Sequence, residues 1–190
     1  AVDAAAASDR PRLGIQARPE VLPLSRAQRR MWLLDQITPG TALYNLPFAV
    51  QVDGPLDTDA LRTAIAGVID RHEVLRTIYP PDAGVPRQLV LTTEQALDTA
   101  EIDLTGVDGE PVTGEDERVA EVANRGFDLA GRIPVRVSVF RTGPSSHVIV
   151  IVVHHIAADG WSMGPLVADL LDGYLAAAAG TLPTREPLPA

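Results

Sequence analysis

Val148 to Gly164 reads VIVIVVHHIAADGWSMG, six β-branched apolar residues that run straight into His154 and His155, with Asp159 and Gly160 four and five positions after the second histidine. An apolar run with no alternation predicts a strand buried on both faces, central in its sheet. Successive strand residues point to opposite faces, so His154 shares a face with Val150 and Val152 and reads as a core histidine with satisfied ring nitrogens. His155 stands where the strand ends and IAADG turns into a helix. An imidazole has a reference pKa near 6.5, so His155 can take or hold a proton near neutrality, and a helix N-terminus beside it would offer N–H donors to a developing oxyanion.

Two other readings of this stretch are weak. Neighbouring histidines on opposite faces cannot chelate one metal in the usual way, and the other two histidines, His72 and His147, are distant in sequence, so no metal is expected. Gly160 to Gly164, GWSMG, fits the GxSxG pattern of a nucleophile elbow. That class needs its histidine after the serine, none follows Ser162, and seven residues separate the serine from the strand. Ser162 is read instead as capping or lining the start of the last helix. Asp159 has three readings: a solvated loop carboxylate, a helix cap, or an ion-pair partner. For the last, RHEVLRTIY, read as a strand, puts Arg76 on a face with Val74 and Ile78, where a half-buried guanidinium needs a carboxylate. A pair between Arg76 and Asp159 would fix the loop that presents His155.

Outward from this stretch, IPVRVSVFRTGPSSHVIVIVV reads as a β-hairpin bridged by Gly143, Pro144 and serines. A helix follows Gly160, with Pro165 tolerated in its first turn and an apolar stripe through Leu166, Leu170 and Tyr174. Upstream, Ser25 caps a helix to Ile37, YNLPFAVQVDG is a strand, and Asp57 or Thr58 caps an amphipathic helix carrying Leu61, Ile65, Val68 and Ile69. VLRTIY and RQLVL read as strands, followed by a turn-rich segment and a helix from about Glu115 to Asn124. Interleaved helices and strands with an antiparallel hairpin give an α/β (α+β) class, a mixed β-sheet covered by helices. Residues 1–22 and 181–190, rich in Ala, Pro and Arg or in Pro, read as linkers around a folded unit of 23–180.

Composition removes much chemistry. The 190 residues are 46% hydrophobic, enough for one core, and contain no cysteine; all 16 basic residues are arginine. Thiol nucleophiles, disulfides, Schiff-base lysines and Walker phosphate loops are therefore excluded. A net charge of −9 opposes nucleic-acid binding. With no membrane span or signal peptide apparent, the expected location is cytoplasmic. A first residue of Ala1 suggests a piece of a longer or processed polypeptide.

The residues already named resemble one family closely. His154, His155, Asp159 and Gly160 match the His-His-x-x-x-Asp-Gly motif of chloramphenicol-acetyltransferase-like acyltransferases. Trp161 and Ser162 follow as in many condensation domains of nonribosomal peptide synthetases. SRAQRRMWLL from Ser25 and RHEVLRTIY from Arg71 resemble that family's first and second core motifs, in its order, and DGPLDTDALRTAI and FDLAGRIPVRVSVF have its look. The resemblance covers roughly residues 20 to 180.

It implies amide formation between two carrier-tethered substrates, with His155 as the active-site residue, either a general base or a hydrogen-bonding anchor for the amine. His154, Asp159 and Arg76 would be supporting residues, Gly160 would lie near the thioester, and Trp161 and Ser162 would be near substrate. Ser25, Gln28, Arg30, Trp32, Arg71 and His72 would be mostly structural, with Trp32 and Tyr79 in the core and Arg71 equally readable as a solvated helix-end cation. No cofactor would bind directly; phosphopantetheine would arrive on peptidyl carrier protein domains. Other implied partners are the C-terminal lobe of the same domain and an adjacent adenylation domain, with no nucleic acid or membrane. The family has two lobes and this chain matches the first, so it is expected to be nearly inactive alone and able to self-associate through its uncovered inter-lobe face. The motifs are closer to domains taking an L-configured donor, and the composition suggests a GC-rich bacterial source. A stand-alone coenzyme A acyltransferase and a non-catalytic recruitment module are the alternatives; loss of His155 or Asp159 would favour the latter, and both are present.

Overall fold

The computed structural model describes residues 18–183 and residue 188. In chain order the elements are β1 (Leu22–Pro23), α1 (Arg26–Ile37), β2 (Asn45–Asp53), α2 (Thr58–Arg71), β3 (Thr77–Ile78), β4 (Pro81–Asp82), β5 (Val85–Val90), α3 (Thr93–Thr99), β6 (Glu101–Asp103), α4 (Glu115–Ala123), β7 (Val135–Gly143), β8 (Ser146–His154) and α5 (Met163–Ala178). The larger sheet has the order β2-β8-β7-β6, antiparallel except for the parallel β6–β7 pair. In a smaller sheet, β5 pairs with β1, β3 and β4.

The hairpin β7–β8 and the central position of β8 are as the sequence predicts. Its period of two divides the core. Ile149, Ile151 and Val153 face α2 and α5, packing with Leu61, Ile65, Ile69, Leu166 and Leu170. Val148, Val150 and Val152 face the other way, onto Trp32, Tyr79, Phe127 and Leu129. Both faces of the strand are therefore dry, which explains the run without polar residues.

Local signals set the helix starts. Ser25 and Gln28 form a reciprocal capping box: the Ser25 hydroxyl accepts the Gln28 N–H, and the Gln28 side chain accepts the Ser25 N–H at 2.9 Å. Asp57 accepts the Asp59 and Ala60 N–H groups, each at 2.9 Å.

Two expectations are corrected. VLRTIY is not a strand: Glu73–Arg76 is a 3₁₀ turn, closed by the Leu75 N–H on the His72 carbonyl (2.9 Å) and the Thr77 hydroxyl on the Glu73 carbonyl (2.7 Å), and only Thr77–Ile78 pairs. The turn-rich segment contains α3, started by a second capping box at Thr92 and Gln95, and the parallel strand β6. Seven and three residues are too few to display a period. The expected linkers lie largely outside the described residues, at 1–17, 184–187 and 189–190, while Leu22 is already paired with Gln88.

A polar centre lies under one face of the larger sheet. Arg136, on β7, is 0% exposed. Its guanidinium donates to Glu101 at 2.6 Å and to the carbonyls of Val122, Arg125 and Gly126 at 3.0, 2.8 and 2.8 Å, and lies 4.5 Å from the Phe127 ring centroid. One fork thus joins β6, β7, the end of α4 and the following loop. Partial burial works to raise the Glu101 carboxyl, but the Arg136 bond and the charges of Arg125 and Arg132 outweigh it and hold Glu101 below its ordinary range. A side chain on Gly126 would drive into the Gly40 backbone, so glycine is required there.

Removing Arg136 strands three carbonyls and leaves Glu101 with only the more exposed Arg125 and Arg132. Arg136→Met is expected to destabilise the domain by about 3–5 kcal/mol, with Arg136→Lys recovering little because it lacks the fork. Denaturant midpoints of the three proteins check this; a loss below about 1 kcal/mol would refute it.

Candidate active site

The ladder of β8 continues past its last residue. The His154 N–H donates to the Pro134 carbonyl at 3.0 Å and the His155 N–H to the Tyr44 carbonyl at 2.8 Å. The chain then folds back: the Ile156 N–H donates to Nδ1 of His154 at 3.1 Å, and the Ala157 N–H to the His154 carbonyl at 2.9 Å. His154 is 1% exposed, edge-on to Phe127 at 5.9 Å and beside Tyr44 at 6.2 Å. Burial, helped by the neighbouring His155, pushes its pKa down to about 4. His154 is a neutral core acceptor that shapes the turn, as its position in the strand suggests.

His155 emerges half-buried into a cleft of 480 Å³ whose walls include Ser25, Gln28 and Met31 from the α1 side and Ala158, Asp159 and Ser162 from its own loop. The Asp159 carboxylate accepts the Ser162 N–H at 2.9 Å and the Ser162 hydroxyl at 2.6 Å. These two bonds, helped by the Trp161 N–H and the nearby His155, hold the exposed Asp159 carboxyl below its usual range. Asp159 therefore shapes the entry to α5 by a local cap. Its carboxylate takes N–H groups of this turn that the sequence suggested for an oxyanion.

The pair expected between Arg76 and Asp159 is absent. The 3₁₀ turn carries Arg76 to the end of β5, where it donates to the Leu91 carbonyl at 2.6 Å, with Glu73 at 3.5 Å. Asp159 stays exposed in its own turn. Arg71 is not a solvated cation: it donates to Asp169 of α5 at 3.0 Å, and His72 meets the same carboxylate oxygen at 2.7 Å. Trp32 and Tyr79 are in the core, joined by the Trp32 indole N–H on the Tyr79 carbonyl at 3.1 Å.

Trp161 projects 90% exposed from the loop after His155, and a Cβ on Gly160 would meet open space. Among the described residues no group of three His, Asp or Glu side chains converges as a metal site, and no helix is long and apolar enough to cross a membrane. Sequence reasoning missed Arg136, Phe127 and Asp169. An arginine between Val135 and Val137 in an apolar strand was the available signal for the first; the others meet their partners only through the fold.

His154 binds a proton more readily unfolded, near 6.5, than folded, near 4. Its contribution to stability is therefore intact above about pH 6.5 and lost as the pH falls toward 4, amounting to about 3 kcal/mol. His154→Asn, which keeps an acceptor near Nδ1 and does not titrate, is expected to flatten the stability profile across this window. An unchanged slope would show that another group carries it.

Comparison with known proteins agrees with the geometry. The sequence profile of the condensation domain matches residues 19–189. The chain is 45% identical over 98% of its length to an isonitrile lipopeptide synthase of Mycobacterium tuberculosis and 38% identical over 94% to a dimodular nonribosomal peptide synthase of Bacillus subtilis, spanning 7% of each relative. Among solved structures it resembles the X-domain in complex with OxyB from teicoplanin biosynthesis (TM-score 0.82, 36% identity, 97% of this chain and 39% of that one). It shares its fold with the starter condensation domain of the rhizomide synthetase RzmA (TM-score 0.74, 22% identity, 88% of this chain and 40% of that one). With the paired histidines at the end of a buried strand and a profile match over nearly all its length, this chain belongs to the condensation-domain family of nonribosomal peptide synthetases.

Proposed function

We propose that the chain is the N-terminal lobe of a condensation domain that joins two carrier-bound thioesters through an amide. The observation that carries this is His155, held by its backbone at the end of the central strand while its side chain faces an open cleft. The α-amine of an acceptor aminoacyl thioester attacks the carbonyl of a donor acyl or peptidyl thioester. The C–N bond forms, the C–S bond breaks, and the donor pantetheine leaves as a thiol that takes up the proton lost by the amine. His155 accepts the amine proton or a hydrogen bond from it, and orientation of the two thioesters lowers the barrier further. Asp159 and Ser162 hold the loop, and Gly160 leaves space for the thioester. Phosphopantetheine arrives on peptidyl carrier protein domains, with an adenylation domain adjacent in the same assembly.

Coverage of about two-fifths of the solved relatives supports the view that a second lobe completes the site. The exposed Trp161 fits a surface which that lobe or a pantetheine arm covers. The lobe alone is expected to transfer little and to self-associate through that face. Similarity to the X-domain, solved with OxyB, favours a second reading as a recruitment module. Retention of His155 and Asp159 favours catalysis.

The test joins the chain to its second lobe, supplies donor-loaded and acceptor-loaded carrier proteins, and follows chain transfer by intact mass. The two-lobed protein is expected to transfer, and His155→Ala to slow transfer by roughly 10²-fold or more. Binding of a partner enzyme without any transfer would establish the recruitment reading instead.

A further inference from the structure

Behind the loop that presents His155 is a second cavity, of 240 Å³. Ala157, Ala158 and Ser162 line both it and the cleft containing His155, so the two spaces share a wall of small side chains. Beyond that wall the lining is Val74 and Leu75 from the 3₁₀ turn, Pro165 and Leu166 from α5, and His72. Two of these eight side chains are polar, and both are engaged. His72 Nε2 lies 2.7 Å from the Asp169 carboxylate, and the Ser162 hydroxyl donates to Asp159 at 2.6 Å. A polar guest would gain few hydrogen bonds in return for its lost hydration, whereas an apolar one loses nothing. The volume is below the roughly 300–1,000 Å³ of pockets that enclose whole ligands, and suits a single side chain.

We propose that this cavity receives the apolar side chain of one of the two thioester-bound substrates, and that Val74, on its far wall, sets the size accepted. This rests on the condensation reaction proposed above: a substrate carbonyl near His155 puts its side chain beside Ala157, Ala158 and Ser162, the small residues at which the two spaces adjoin. The donor and acceptor present the same chemistry, so each must be varied separately. Val74 is half-buried and distant in sequence from the motif that carries His155 and Asp159. Its substitution changes the volume of the pocket while leaving the reacting group in place.

The experiment uses the complete two-lobed domain with loaded carrier proteins. One arm compares leucyl with glycyl acceptors against a fixed donor; the other compares acyl-leucyl with acyl-glycyl donors against a fixed acceptor. Val74→Phe is expected to lower the leucyl-to-glycyl ratio of kcat/KM by roughly tenfold or more on one arm only, with glycyl transfer nearly unchanged. Val74→Ala, which removes volume and does not depend on fitting a larger ring, is expected to shift the same arm toward side chains bulkier than leucine. If either folded variant keeps the wild-type ratio on both arms, or lowers leucyl and glycyl transfer equally, the pocket's role is overturned while the proposed reaction stands. No transfer by the unaltered domain overturns both.

Discussion

The hydrogen bond from the Ile156 N–H to Nδ1 of His154 is the contact on which the site depends. It requires an imidazole without a proton on Nδ1, and the dry face of β8 keeps the ring neutral by making its charged form costly. With that bond made, the chain turns as soon as the ladder ends. His155, still tied to Tyr44 by its backbone, is the first side chain able to leave the core. Two identical residues therefore do different work because one position of strand separates their environments.

Support for that turn reaches deep into the lobe. Arg136 orders the loop around Gly126 and stacks on Phe127, which in turn packs edge-on against His154. On the opposite side, Arg71 and His72 of the α2 end hold α5 through Asp169, while Asp159 caps the start of α5 through Ser162. The loop from His155 to Ser162 is thus fixed at its start by the buried His154 contacts and at its end by the exposed Asp159–Ser162 cap, with Ala157 and Ala158 between. Such a loop can be held rigidly and still offer space on either side, one cleft with His155 and one apolar cavity behind.

Most of this was legible where sequence period and chemistry agree. The unbroken run of Val148 to Val153 marks a strand with two dry faces, and the adjacent histidines separate by strand geometry alone. Ser25 and Asp57 mark helix starts by side-chain chemistry. The errors share a cause. RHEVLRTIY has alternating apolar residues, yet a hydrogen bond from Leu75 to His72 tightens it into a turn and turns Arg76 toward Leu91. Asp159 was legible as a cap and equally as an ion-pair partner, and only three-dimensional distance separates these. Arg136 was visible as a charge in an apolar strand, but its three carbonyl partners come from a loop and helix end whose approach no local pattern encodes.

The central claim is that a neutral His154, accepting at Nδ1, sets the turn that frees His155. Nitrogen-15 shifts of the His154 ring in the folded domain, followed from pH 7 toward pH 4, test it most directly. The account predicts the tautomer protonated on Nε2, with Nδ1 unprotonated, persisting until about pH 4. A proton on Nδ1 at neutral pH, or a ring that charges near 6.5 without loss of the fold, would contradict it.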